Sequence, residues 1–153
     1  MSEKNLNANV FFQQNELFPE LPDEALMTSW VVCASERDIE LTIRFVDEEE
    51  GFQLNSQYRH KDYATNVLTF DYQHEPTVLA DLAICVPVLH KQAKEQGKTF
   101  LSHLCHLIIH GTLHAHGYDH ETEQQAAEME GIETRLMKKL GFEDPYQGDD
   151  KTL

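Results

Sequence analysis

The sequence predicts one α/β or α+β domain, in which a small mixed sheet of four strands packs with about five helices. Its 153 residues, 41% of them hydrophobic and 25% charged, suit a single globular domain over residues 1–153. Stretches of alternating hydrophobicity are interspersed with stretches of helical periodicity, and no internal repeat or linker rich in proline and glycine separates them. An acidic tail is expected from about residue 147.

Two strands and two helices are predicted in the first part of the chain. Hydrophobic residues alternate with polar ones in residues 5–13 and again in residues 39–45, which is typical of half-buried strands. Between them, a helix is predicted to follow Asp23, a residue type that caps helix N-termini, and to continue to Ala34. Residues 47–58 carry few apolar residues among acids and amides, and they predict a short helix packed along one edge.

The chain then continues with two further strands and a helix. Residues 66–72 and 78–86 predict strands, and the short loop with Pro76 between them suits an antiparallel pair. A helix is predicted over residues 87–96, because proline is favoured at a helix start and Gly97 can end it.

Two more helices complete the predicted fold. The last covers roughly residues 123–140, because Thr122 and Gln125 have the spacing of a capping box. The other covers residues 99–116, where apolar and histidine side chains separate at about 100° per residue. Its inward apolar face is predicted to comprise Leu101, Leu104, Cys105, Ile108, Ile109, Thr112 and Ala115. The opposite side carries His103, His106, His110 and His114, with Leu107 at its edge.

Three histidines at H-x3-H-x5-H spacing form the strongest functional signal of the chain. His110 and His114 are four residues apart and therefore share one helical face. Gly117 can end the helix in a left-handed turn that returns His120 toward the same point. Three imidazoles without a fourth protein ligand are typical of a catalytic zinc site with an open position for water. We therefore predict a zincin-like metal helix that binds one zinc ion per chain, although imidazole affinity alone does not select zinc over nickel, cobalt or manganese.

The residue after the first histidine separates two classes of hydrolase. Zinc peptidases of the zincin class carry a glutamate there as general base, whereas this chain has Gly111. A substrate whose cleavage needs Lewis-acid stabilisation and a basic partner, such as a phosphodiester, fits the pattern better. Two alternatives stay open: a metzincin-like zinc peptidase with its base elsewhere, and a non-catalytic RNA- or ribosome-binding factor with a structural zinc.

A basic cluster of Arg59, His60 and Lys61 interrupts an otherwise acidic sequence. A guanidinium group binds phosphate oxygens through two hydrogen bonds, so Arg59 is the candidate partner of a scissile phosphate. Lys61 suits a helix end electrostatically, and contact with substrate is its functional alternative. Further candidates, as supports of the ligands or as walls of a substrate cleft, are Asp119, His103 and His106.

Composition limits the partners and the compartment. The formal net charge of −15 argues against a general electrostatic grip on nucleic acid, and we expect no DNA binding. The three cysteines are far apart and odd in number, which favours free thiols in a reducing compartment. No apolar run approaches the ~20 residues that span a bilayer, and the N-terminus lacks the apolar core of a signal peptide. We therefore expect a cytoplasmic protein without membrane contact.

Four longer motifs resemble one known family. They are LNSQYRHKD at residues 54–62, TNVLTF at 65–70, ADLAIC at 80–85 and HGTLHAHGYDH at 110–120. In this order they are similar to YbeY, a family of bacterial endoribonucleases of ribosome maturation. The resemblance extends from about the second strand to residue 146, which is most of the domain.

The resemblance implies a function and an active site. It implies a zinc ion on His110, His114 and His120, and metal-dependent cleavage of single-stranded RNA. It further implies processing of the 3′ end of small-subunit rRNA and ribosome quality control, with rRNA and ribosomal proteins as partners. Arg59 matches the family arginine that lines the active-site cleft. The resulting hypothesis is that zinc activates water or polarises a phosphate oxygen, with Arg59 and His114 as catalytic residues.

Overall fold

The computed structural model describes residues 6–59 and 65–146, with the side chain of Arg59 excepted. These residues form one α+β domain, which confirms the predicted fold class. Its strands are β1 (Ala8–Gln13), β2 (Ile39–Val46), β3 (Val67–Gln73) and β4 (Val78–Cys85). Its α-helices are α1 (Glu24–Ala34), α2 (Glu48–Arg59), α3 (Val86–Gln96), α4 (Phe100–Ala115) and α5 (Glu123–Lys139). Lys61 and the tail expected from residue 147 lie outside the described residues.

The sheet is mixed, as predicted, and its strand order is β1–β2–β4–β3. β2 pairs in parallel with both β1 and β4, whereas β3 runs antiparallel to β4. The antiparallel pair follows from the short connection between β3 and β4, since parallel neighbours need a long crossover. β3 is consequently an edge strand, and it lies beside the helix that carries the histidines.

The helix ends follow local sequence rules. Asp23 caps α1 by accepting a hydrogen bond from the backbone N–H of Leu26 at 2.8 Å. Gly97 ends α3 at a φ of 67°, the left-handed region that glycine enters without steric cost. The predicted capping box of Thr122 and Gln125 is present at the start of α5.

Helix α4 is the centre of the fold, because it packs against α1, α3, α5 and the sheet. Most of its circumference is buried, so the predicted division into an apolar face and a polar histidine face is too simple. Leu101, which we predicted to face inward, is 38% exposed because it lies in the first turn of the helix. His103, predicted on the opposite side, is only 4% exposed.

The two faces of the sheet carry different helices. On one face, Gly111 of α4 lies so close to β4 that an added Cβ would be 2.8 Å from both Cδ atoms of Leu82. On the other face, Tyr58 of α2 makes an edge-to-face ring contact with Phe70 of β3. Because Gly111 is so close to Leu82, a side chain at position 111 would contact the sheet too closely.

Cys85 and Cys105 carry free thiols, and burial raises the pKa of Cys105 to about 12. Among the described helices, none is long and apolar enough to cross a membrane.

Candidate metal centre

The structure brings the three predicted metal ligands together at the end of α4. His110 and His114 lie on successive turns, and their Nε2 atoms are 3.1 Å apart. Gly117 has a φ of 105°, and this left-handed turn returns His120 toward the helix. One ligand nitrogen from each of the three rings lies within 4.8 Å of the other two.

His110 and His114 each form a hydrogen bond through Nδ1, the ring nitrogen that faces away from the other histidine. These hydrogen bonds determine whether the two Nε2 atoms carry a hydrogen. His114 Nδ1 donates to the backbone carbonyl of Tyr118 at 2.9 Å, because a carbonyl can only accept. His110 Nδ1 donates to the Glu133 carboxylate at 2.6 Å. In the neutral rings both Nε2 atoms are then unprotonated, and two lone pairs face each other.

Such an arrangement is unfavourable unless a cation lies between the nitrogens. A tetrahedral zinc ion with Zn–N bonds of about 2.0–2.1 Å separates two ligand nitrogens by about 3.3 Å. The 3.1 Å spacing of His110 Nε2 and His114 Nε2 is close to this value. Burial, followed by the neighbouring His110 and His120, lowers the pKa of His114, which favours the neutral form that binds metals. The donor set therefore fits a metal ion.

Glu133 supports this site, and sequence reasoning missed it. Its side chain is fully buried in α5 and accepts hydrogen bonds from His110 Nδ1, from His106 Nε2 at 2.8 Å, and from the hydroxyl of Tyr146. Burial raises the pKa of Glu133, but the hydrogen bonds from the two histidines outweigh it and lower the pKa to about 2. A signal was present in the sequence, since Glu133 lies four residues from both Met129 and Met137, on the apolar stripe of α5.

His106 and Glu133 also form, with His110, a second group of potential ligands. The contacts within it are 2.6 and 2.8 Å long, which are hydrogen-bond distances. We therefore assign this group to hydrogen bonding behind His110. A carboxylate that accepts the second N–H of a ligand histidine fixes the ring orientation and raises its basicity.

His103 lies farther from the three ligands. His103 Nε2 is 2.9 Å from the side-chain oxygen of Gln92, and its buried Nδ1 has no hydrogen-bond partner in the described part of the chain. Burial lowers the pKa of His103 to about 4, with smaller contributions from His106 and Lys98. Together with His106, it lines a cavity of about 210 Å³ behind His110.

The residues that follow α4 hold the turn that carries His120. The Asp119 carboxylate accepts the backbone N–H of His120 at 2.7 Å, so it stabilises this turn. The Tyr118 hydroxyl donates to Glu36 at 2.9 Å. His116 is buried outside the ligand set, where its Nδ1 donates to the Thr112 carbonyl and its Nε2 accepts the backbone N–H of Glu36.

An open cleft of about 670 Å³ lies over the three ligands. One wall is β3 with the loop that follows it, and the other is the turn from Gly117 to Glu121. Helix α2 contributes Asn55 to the lining. Arg59 is the last residue of that helix, one turn beyond Asn55.

Comparison with known proteins places this geometry in a family. A sequence model described as Endoribonuclease YbeY matches residues 7–141. A relative from Delftia acidovorans, named Endoribonuclease YbeY, is 60% identical over 121 residues, which are 78% of this chain and 80% of the relative. Relatives of the same name from Paracidovorax citrulli and Paraburkholderia phymatum are 56% and 51% identical over 127 and 147 residues. These alignments cover 82% and 93% of this chain, and 83% and 96% of the respective relatives.

A solved structure agrees with the fold. The solution structure of a Thermotoga maritima protein matches with a TM-score of 0.54 and 25% sequence identity. The match covers 88% of this chain and 91% of that chain. The family match spans the sheet, all five helices and the three histidines. The chain therefore belongs to the YbeY endoribonuclease family.

Proposed function

We propose that this protein is a metal-dependent endoribonuclease that cleaves single-stranded RNA, with His110, His114 and His120 as its metal ligands. The observation that carries the proposal is the distance of 3.1 Å between the Nε2 atoms of His110 and His114 beneath an open cleft. Membership in an endoribonuclease family supports RNA as the substrate.

Zinc is the metal that we propose. Three neutral imidazoles suit it, and other divalent transition metals remain alternatives. A zinc ion bound there would supply a Lewis acid and lower the pKa of a coordinated water to about 7. His110 and His114 are prepared for this role because hydrogen bonds to Glu133 and to the Tyr118 carbonyl hold their Nε2 atoms toward the cleft.

Arg59 is the proposed partner of the scissile phosphate. A guanidinium group can bind two phosphate oxygens and offset the charge that develops in the transition state. Arg59 ends α2, the helix whose Asn55 lines the cleft. Lys61 is a further candidate for contact with the RNA backbone.

The proposed physiological substrate is rRNA, at the 3′ end of the small-subunit rRNA, in the cytoplasm. The sequence motifs shared with YbeY support this proposal. The chain's net charge of −15 bears on how the RNA reaches the cleft. An acidic protein has little general attraction for phosphate. We therefore propose that the ribosome or a small-subunit protein presents the RNA to the cleft.

Gly111 disfavours the peptidase alternative. This chain has no glutamate at that position, and an added Cβ would lie 2.8 Å from the Cδ atoms of Leu82. The open cleft disfavours a purely structural zinc, since structural sites are closed by four protein ligands.

The experiment combines metal analysis with an RNA cleavage assay. Freshly purified protein should contain about one equivalent of zinc and cleave a single-stranded RNA, and a chelator should abolish cleavage until zinc is restored. His114→Ala should lose both metal and cleavage. The matched control is His90→Ala, which removes an exposed histidine outside the cleft. Cleavage by His114→Ala at the parental rate, or digestion of casein in place of RNA, would refute the proposal.

A further inference from the structure

The cleft holds one imidazole that the metal set does not use. Four histidines line it in the described residues: His110, His114, His120 and His74. His74 lies in the loop between β3 and β4, on the wall opposite the ligand turn. No sequence motif pointed to this residue, because only the fold brings it to the metal centre.

The edge strand positions the partner of His74. Strand β3 contributes Val67, Leu68, Thr69 and Asp71 to the lining of the cleft. Asp71 Oδ2 is 2.7 Å from His74 Nε2, and both side chains are a little under half exposed. The carboxylate accepts the Nε2 hydrogen, so it orients the ring and leaves Nδ1 available. This is the arrangement by which an aspartate orients a catalytic histidine.

The free nitrogen of His74 faces the metal-binding turn. A Cβ added to Gly117 would lie 3.2 Å from His74 Nδ1, which is tighter than ordinary van der Waals contact. Gly117 stands between the ligands His114 and His120. Glycine is thus needed at position 117 both for its φ of 105° and for the close approach of the His74 ring.

We propose that His74 is the general acid of RNA cleavage, oriented by Asp71. This role rests on the proposed nuclease function of the same cleft. In the reaction, the attacking oxygen forms a bond to phosphorus, and the bond from phosphorus to the leaving ribose oxygen breaks. The leaving oxygen takes the proton from Nδ1 of the imidazolium, so an alcohol departs. The attacking hydroxyl group loses a proton to solvent. The imidazole later regains a proton from solvent, so the protons balance over one turnover.

The other titratable groups of the cleft are less suited to this task. Ionised carboxylates only accept hydrogen bonds, and Asp119 already accepts the N–H of His120. Burial and the hydrogen bond to Glu36 raise the pKa of Tyr118, which makes its hydroxyl a poorer acid. Glu121, the remaining carboxylate of the lining, likewise only accepts hydrogen bonds when it is ionised. His74 is therefore the imidazole of the cleft lining that is positioned to donate a proton.

The test compares two leaving groups in His74→Gln. A ribose alkoxide needs a proton to depart, whereas p-nitrophenolate leaves without one. His74→Gln should therefore lower kcat on a single-stranded RNA by about 100-fold or more, while hydrolysis of a nucleoside p-nitrophenyl phosphodiester stays within about threefold of the parent. Asp71→Asn should also lower kcat on the single-stranded RNA, but by a smaller factor. Its hydrolysis of the p-nitrophenyl phosphodiester should likewise stay close to that of the parent. Zinc content and Tm should match the parent in both variants.

The chain offers a matched control. His90 Nε2 also lies 2.7 Å from a carboxylate, that of Glu20, and its side chain has the same 45% exposure as that of His74. His90 is outside the cleft lining, so His90→Gln should cleave both substrates at the parental rate. A second readout uses RNA alone: the alkaline fall in the kcat profile of the parent should disappear in His74→Gln.

Each other outcome contradicts the assignment. Unchanged RNA cleavage by His74→Gln would exclude a catalytic role. Equal losses on the two substrates would show that the residue holds the turn instead of donating a proton. If the parent does not hydrolyse the p-nitrophenyl ester, the pH profile of kcat on RNA decides. A fall in kcat at alkaline pH that persists in His74→Gln would show that His74 is not the general acid. Failure of the nuclease proposal looks different, since the parent would then show no chelator-sensitive cleavage of RNA.

Discussion

His110 Nδ1 donates a hydrogen bond of 2.6 Å to Glu133 Oε2, and this contact connects the metal helix α4 to the last helix, α5. A fully buried carboxylate is costly unless several donors surround it. Glu133 has three, from two histidines and a tyrosine. The candidate metal centre is therefore supported by a charge that is buried between α4 and α5 and does not lie on the cleft surface.

Replacement of this carboxylate should weaken metal binding. In Glu133→Gln, the His110 ring loses its anionic partner, and we expect zinc affinity to fall by about 10- to 100-fold. A competition titration with a chromophoric chelator measures the change. Glu130→Gln, an exposed position on the same helix, should bind zinc like the parent. Equal affinities of Glu133→Gln and Glu130→Gln would contradict a supporting role for Glu133.

Stability of the metal-free protein should fall in mild acid because of His103. The pKa of His103 is lowered to about 4 in the folded state from its ordinary value of 6.5, so the unfolded chain takes up a proton in this window before the folded chain does. The contribution of His103 to the free energy of unfolding is fully present above pH 6.5 and is lost as the pH falls toward 4. Between pH 7 and pH 5 the loss from this residue amounts to about 2 kcal/mol.

Urea unfolding at the two pH values, in excess chelator, checks this prediction. His103→Gln should show a smaller loss of unfolding free energy between pH 7 and pH 5 than the parent. The exposed-site variant His90→Gln should behave like the parent. The same pH dependence in His103→Gln and in the parent would refute the assignment.

The close contact of Gly111 with β4 predicts a cost for any side chain there. Gly111→Ala places a Cβ 2.8 Å from two atoms of Leu82, which is itself only 1% exposed and has little room to move. Overpacking of this kind costs about 1–3 kcal/mol and outweighs the gain of about 1 kcal/mol in helix propensity. We expect net destabilisation in chemical unfolding.

Gly131 provides the control for this substitution. A Cβ at position 131 of α5 meets nothing within 4 Å, so Gly131→Ala should stabilise the protein by about 1 kcal/mol. In a Leu82→Ala background, Gly111→Ala should lose its penalty, because the colliding atoms are gone. A penalty that persists in the double variant would place its cause elsewhere.

Zinc should stabilise the fold through the exposed ligand as well as the two on the helix. At free zinc of about 1,000 times Kd, linkage adds about 4 kcal/mol, which raises Tm by about 10 °C. His120→Ala should lose most of this rise and keep the Tm of the metal-free parent, because the side chain is exposed. The full rise in His120→Ala would remove this residue from the ligand set. His90→Ala should retain it.

Much of the fold depends on local sequence, and so does the pairing of His110 with His114 in the candidate site. The caps at Asp23 and Thr122, and the helix end at Gly97, involve groups within a few residues of one another, so the chain specifies them wherever the helices pack. The pairing of His110 with His114 follows from the helical repeat in the same way. Strand positions could be read from alternation, and the antiparallel pair from the short loop between its strands.

The tertiary structure decided the contacts between distant segments. The strand order places β3 at the edge beside α4, and only this order brings His74 to the turn at Gly117. Glu133 reaches His110 because α5 packs back onto α4. Periodicity shows which face of an element is buried, but not which element covers it. The sequence therefore determined the candidate metal ligands, and packing decided which residues support them and face them across the cleft.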